Sequence, residues 1–154
     1  MARARRSGLP LGPDVLTILV ALQAISGLGG GTVLVADPAG GLIGMPLSVL
    51  RRGPFVGFLL PGAILLTVLG AFPAAIAAAL WRRPRWAALR ELERAFSGHG
   101  SWVGAGVVGV GLLLWLAVEP CLVGPSSLLV MYSVLALAIA AFAMMPGTRR
   151  RYRA

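Results

Sequence analysis

The chain has 154 residues, of which 58% are hydrophobic and only 12% charged, and its mean hydropathy is +0.86. A soluble domain needs roughly 25% charged residues to solvate its surface, so this composition excludes an ordinary soluble globule and favours a membrane protein. The formal net charge of +9 comes from arginine alone. Because the arginines stand between apolar stretches, membrane topology explains them, and we expect no binding of nucleic acid.

Four apolar stretches are long enough to cross a bilayer as helices, which takes about 20 residues each. They cover residues 15–36, 55–80, 102–118 and 127–145, and none has a charge in its interior. The first is longer than the roughly 7–15 apolar residues of a signal peptide, and no typical cleavage site follows it, so we read it as a span. The sequence predicts an all-α fold: a single domain that forms a four-helix transmembrane bundle.

Arginine placement predicts the orientation of this bundle. Twelve arginines lie in the basic tails, residues 1–12 and 147–154, and in the loop between the second and third spans; only Arg51 and Arg52 lie on the other side. The positive-inside rule places both termini in the cytoplasm. The connecting loop, residues 81–101, is predicted to form a basic amphipathic helix. This helix either lies on anionic lipid or binds a cytoplasmic partner.

The loop between the first two spans, residues 37–54, is the least generic part of the chain. Its Asp-Pro and paired glycines predict turns, and Pro46 suits the start of a short helix, so we expect an interfacial helix or an ordered loop. With Glu119 at the end of the third span, Asp37, Arg51 and Arg52 form a candidate outer-face cluster. This cluster is either an ion-pair clasp that closes the loop, which we favour, or a binding site for a polar or anionic headgroup.

The first span has the clearest polar face inside the predicted membrane. The residues of this candidate packing face are Gln23, Ser26, Gly27 and Gly30. Small residues let helix backbones approach, and a buried amide can hydrogen-bond across the contact, so helix packing is the favoured interpretation over a translocation path. The second span carries Pro61-Gly62 and Pro73, and these prolines predict kinks.

Catalytic and metal chemistry have little support in the sequence. The single cysteine, Cys121, and the single histidine, His99, exclude an internal disulfide and a paired zinc site. Neither Asp37 nor Glu119 has a nucleophile or metal-ligand motif beside it. We therefore expect no catalytic, cofactor-binding or metal-binding residues and no cofactor.

Several short motifs resemble a family of small four-helix bacterial membrane proteins. They are Asp37-Pro38-Ala39-Gly40, Gly44-Met45-Pro46, Pro54-Phe55, Leu60-Pro61-Gly62 and the stretch from Trp115 to Glu119. That family's loop typically reads Asp-Pro-Ser-Gly, then Gly-x-Pro, Pro-Phe and Pro-Gly, so Ala39 stands where a serine is usual. The resemblance extends from the first span to the fourth. It implies a multi-pass protein of the bacterial cytoplasmic membrane and no particular activity.

Two function classes follow. The first is a non-enzymatic accessory or interaction subunit, with membrane lipids and a membrane protein or a second copy as partners. The alternative is a small oligomeric transporter or channel for an uncharged or lipid-like solute. A polar path along Gln23 and Thr67 favours transport, whereas a dry, tightly packed bundle favours the accessory role.

Overall fold

The computed structural model describes residues 11–82, 100–122, 127–146 and 148, and in these ranges every regular element is helical. The amphipathic helix predicted in the loop 81–101 and most of the basic tails lie outside the described residues. The helices are α1 Leu11–Ala36, a 3₁₀ helix Leu47–Arg52, α2 Leu59–Arg82, α3 Gly100–Leu122 and α4 Ser127–Met144. The predicted all-helical fold is thus confirmed for the described part of the chain.

Three helices are long and apolar enough to cross a bilayer. These stretches are Gly12–Ala36, Leu59–Arg82 and Trp102–Pro120, and a shorter apolar helix covers Leu128–Met144. Large hydrophobic side chains point away from the bundle on all four: Ile25 on α1, Val68 on α2, Leu114 on α3 and Val134 on α4 are each more than half exposed. An apolar exterior of this kind is suited to lipid.

The two prolines of α2 act differently because of where they fall. Pro61 lies in the first turn of α2, which begins at Leu59 rather than at Phe55, and its missing N–H breaks no bond there. Pro73 lies in the interior. The segment just before it, Thr67–Ala71, is a turn of π-helix, after which the N–H of Phe72 bonds to the carbonyl of Thr67. The widened turn accommodates the proline without ending the helix.

Glycines bring α1 and α2 into backbone contact. A Cβ added at Gly27 would lie 2.0 Å from the carbonyl oxygen of Leu69, and one at Gly31 would lie 2.5 Å from the nitrogen of Leu66. On the facing helix, a Cβ at Gly62 would meet the side chain of Leu34 at 2.7 Å. The small-xxx-small spacing of Gly27 and Gly31 therefore lies at the α1–α2 contact.

We call the end of the bundle that carries the connection between α1 and α2 the loop side, and the opposite end the tail side. A buried cluster of aliphatic residues fills the tail side: Leu16, Val20, Ile76, Leu80, Ala105, Val108, Ile139 and Ala143. There the indole nitrogen of Trp102 donates to the carbonyl of Ala143 at 2.8 Å. That carbonyl belongs to the last turn of α4, where helix carbonyls commonly lack an intrahelical donor.

The connection between α1 and α2 is an ordered loop. Gly40 has φ +82°, and a Cβ there would meet the carbonyl oxygen of Met45 at 2.2 Å, so only glycine fits this turn. The N–H of Phe58 bonds to the carbonyl of Pro38 at 2.9 Å. The 3₁₀ helix follows Pro46, as expected, and its Leu50 is only 2% exposed whereas Leu47 is 44% exposed.

Candidate functional site

A cavity of about 410 Å³ lies between the four helices on the loop side. Its α1 wall runs from Gln23 to Leu34, which corresponds to about 16 Å along the helix axis. The loop contributes the apolar side chains of Ile43, Met45 and Leu50. No residue of the tail-side cluster lines this space, so the cavity ends near Gln23. We refer to it as the loop-side cavity.

The inner end of the loop-side cavity is formed by Gln23, which is 2% exposed. Its Nε2 donates to the carbonyl oxygen of Leu69 at 3.3 Å. In an α-helix that carbonyl would accept from residue 73, but Pro73 has no N–H. The α1 amide thus donates to a carbonyl that Pro73 cannot serve. The other amide atom, Oε1, is buried and has no hydrogen-bond partner.

A hydroxyl pair lies on the wall of the cavity. Ser26 of α1 and Tyr132 of α4 hydrogen-bond to each other through their hydroxyl groups, and both line the cavity. The contact joins residues that are 106 positions apart in the chain. Because each hydroxyl already has a partner, this pair has less need of a ligand than the free Oε1 of Gln23 does.

Glu119 lies where the cavity approaches the loop-side end of α3 and is intermediate in exposure. The side chain of Trp115, one helical turn earlier, also lines the cavity and lies within hydrogen-bonding reach of the Glu119 carboxyl. Among the lining side chains in the described part of the chain, Glu119 is the sole charged one. The rest of the lining is mostly aliphatic and aromatic, a composition typical of sites for small apolar ligands.

The structure places the predicted outer-face cluster in two environments. Asp37 lies in the loop, where its two carboxylate oxygens accept from the backbone N–H of Ala39 at 3.1 Å and of Leu42 at 2.7 Å. Glu119 instead lines the cavity. Arg51 and Arg52 belong to the 3₁₀ helix, which packs against α3, but their side chains lie outside the described residues. The ion-pair clasp therefore stays a prediction.

The predicted packing face of α1 borders the loop-side cavity and also contacts α2. All four of its residues line the loop-side cavity: Gln23, Ser26, Gly27 and Gly30. Gln23 and Gly27 also contact the π-helical turn of α2. Thr67 is exposed, bonds to the carbonyl of Ala63 at 2.7 Å and does not line the cavity. The polar path along Gln23 and Thr67 that would favour transport is thus not formed by these two side chains.

Sequence reasoning did not identify Tyr132, Trp115 as a wall residue, or the loop residues that cover the cavity. Tyr132 carried the one available signal, since a tyrosine in the middle of an apolar span needs a hydrogen-bond partner. For metal binding, no group of three His, Cys, Asp or Glu side chains comes together in the ranges that the structure describes.

No protein-family model matches the chain, and neither the curated proteins nor the solved structures contain a significant match to it. The resemblance of its loop motifs to small four-helix bacterial membrane proteins therefore stays a prediction.

Proposed function

We propose that this protein is a non-enzymatic, four-span protein of a bacterial cytoplasmic membrane that binds a small, lipid-like molecule in its loop-side cavity. The cavity, about 410 Å³ and mostly apolar, carries the proposal. Ligand sites of roughly 300–1,000 Å³ with apolar walls and a few polar groups are typical of small-molecule binding.

The four-span topology has support from length and charge. Helix α4 has 18 residues, within the roughly 17–25 residues that span a hydrocarbon core. It packs along α3 and contacts α1, so it shares the apolar environment of the three longer helices. With four spans, the arginine-rich tails lie together in the cytoplasm and the loop side faces out.

The blind inner end of the cavity favours binding over free passage. Tail-side aliphatic side chains such as Leu16, Val20 and Ile139 are completely buried below Gln23. A channel would need an open route through this region. A binding or accessory role is therefore favoured over a channel. We expect membrane lipids as partners, and in addition a second copy or another membrane protein.

The second candidate is a small transporter for an uncharged or lipid-like solute. The observation that favours it is the π-helical turn Thr67–Ala71, which lies beside the inner end of the cavity and just before Pro73. Such turns are frequent at functional sites and can act as hinges. A bend there would alter the packing below the cavity.

Filling the cavity tests the proposed function. Leu116 on α3 lines the cavity and is 6% exposed, whereas Leu114 on the same helix is 64% exposed and does not line it. We expect Leu116→Trp to abolish the stabilisation that added 1-dodecanol gives the purified protein, since a ligand raises the free energy of unfolding only when the folded state binds it. The control Leu114→Trp should retain it. Equal responses of both variants and the original protein would contradict binding in this cavity.

A further inference from the structure

The amide of Gln23 has a fixed orientation. Its Nε2 donates to the carbonyl oxygen of Leu69 at 3.3 Å, and a flipped amide would place two acceptor oxygens against each other. Oε1 is consequently the atom without a hydrogen-bond partner, in a side chain that is 2% exposed and lines the loop-side cavity. Buried polar atoms are rarely left unpaired in folded proteins, so this oxygen points to a missing donor.

At this end of the cavity, no described group donates to Oε1 of Gln23. The bond between Ser26 and Tyr132 uses one of their two hydroxyl hydrogens, and the other hydrogen makes no bond to Oε1. Glu119, toward the loop end, is a further acceptor when ionised, and none of the lining side chains that the structure describes is basic. A ligand that brings only carbonyl or ether oxygens would leave Oε1 unpaired.

The position of Gln23 also decides the charge of the ligand group. Gln23 lies in the middle of α1, the span Gly12–Ala36, far from either end. A charged group at the middle of a bilayer is strongly unfavourable unless an opposite charge pairs with it, and Gln23 is neutral. The donor should therefore be an uncharged O–H or N–H.

From these observations we infer that the cavity binds an uncharged amphiphile whose hydroxyl or amide group donates a hydrogen bond to Oε1 of Gln23. Its apolar body fills the space toward the loop, against Met45, Leu50 and Phe58. This inference rests on the proposed function, since it specifies the ligand of the same cavity. It makes Gln23 the residue that selects the ligand's polar group.

The test compares two probes that differ in one donor: 1-dodecanol and methyl dodecyl ether. Affinity is measured from the concentration dependence of thermal unfolding of the full chain in mild detergent. A buried hydrogen bond to an otherwise unpaired acceptor predicts about tenfold tighter binding of the alcohol. In Gln23→Met, which has similar length but no acceptor, we expect this preference to disappear while the affinity for the ether is retained. Leu22→Met, exposed on the same helix, should keep the preference.

The two probes separate this inference from the proposed function. If the original protein binds alcohol and ether equally well, for example because a water molecule satisfies Oε1, the donor inference is overturned and the cavity remains a binding site. If neither probe binds, both proposals fail. The comparison of alcohol with ether is made in the original protein and needs no variant. The inference can therefore still be refuted if Gln23→Met folds poorly.

Discussion

The side-chain amide of Gln23 donates to the carbonyl oxygen of Leu69 across the contact between α1 and α2, at 3.3 Å. That carbonyl lies four residues before Pro73, so its own helix offers it no α-helical N–H. The relationship links a proline on one span to an amide on another, and it forms the inner end of the loop-side cavity.

Removal of this amide should destabilise the bundle only while Pro73 is present. We expect Gln23→Leu to lower the free energy of unfolding by about 1 kcal/mol, in line with hydrogen bonds between membrane helices. In a Pro73→Ala background, residue 73 regains an N–H for Leu69, and the cost of Gln23→Leu should become smaller. Denaturant titration of the four proteins in detergent measures this coupling. Equal costs in both backgrounds would refute the compensation.

Close packing of α1 against α2 should make Gly27 sensitive to a single methyl group. A Cβ there would lie 2.0 Å from the carbonyl oxygen of Leu69, and backbone cannot move aside as a side chain does. We expect Gly27→Ala to lower the free energy of unfolding by about 1–3 kcal/mol. Gly29 is the matched control, because a Cβ at Gly29 would meet nothing within 4 Å. Equal free energies of unfolding for Gly27→Ala and Gly29→Ala would contradict the close contact between Gly27 and Leu69.

The carboxylate of Asp37 should hold the first turn of the loop together. It accepts hydrogen bonds from the backbone N–H groups of Ala39 and Leu42. In Asp37→Ala, we expect the amide protons of both residues to exchange faster, on the order of tenfold. Ser48→Ala, in the exposed part of the 3₁₀ helix, is the control. Unchanged exchange at Leu42 would show that the carboxylate does not order this turn.

The ion-pair clasp is tested separately from the Asp37 turn. If Arg51 and Arg52 close the loop over the bundle, Arg51→Ala combined with Arg52→Ala should raise the rate of protease cleavage within residues 37–54. The reason is that loss of both cations leaves the acidic partners without counter-charges. An unchanged cleavage rate would remove the support for a clasp and leave the headgroup-binding interpretation of these arginines.

Glu119 should discriminate against anionic ligands. It is the sole charged residue among the described side chains that line the cavity, so an ionised carboxylate on a ligand would meet a like charge. We expect dodecanoate, at alkaline pH, to bind roughly fivefold to tenfold more weakly than 1-dodecanol, and Glu119→Gln to reduce this difference. The control is Asp14→Asn, which removes a negative charge from an exposed position on the tail side, outside the cavity. It should leave the ratio of the two affinities unchanged. An identical ratio in Glu119→Gln would contradict the assignment.

The helices could be predicted from the sequence because a bilayer demands long apolar stretches. Their ends could not be placed as well. The second helix begins at Leu59 rather than at residue 55, because Phe58 bonds back to Pro38 and so belongs to the loop. Pro73 predicted a distortion, but the sequence does not show that it takes the form of a π-helical turn, or that Leu69 in this turn accepts a hydrogen bond from Gln23 on a different helix.

The cavity could not be predicted because it depends on the rotation of the helices and on the fold of the loop. The sequence singled out Gln23, Ser26 and Glu119, each for a local reason. It gave no basis for joining them to Tyr132, which comes to Ser26 from 106 residues away, or to Leu50 in the loop. Long-range contacts of this kind have no local pattern in the chain.

The measurement that tests the account most directly is the sidedness of both chain ends and of the loop. Single cysteines are introduced by Ser7→Cys, Ser48→Cys and Ala154→Cys in a Cys121→Ser background, and intact cells are treated with a membrane-impermeant maleimide. Four spans with the loop side outward predict labelling at Ser48→Cys alone, with both ends labelled only after permeabilisation. Labelling of one chain end in intact cells would mean an odd number of spans and would contradict the four-span topology. Labelling of both ends would place the cavity on the cytoplasmic side.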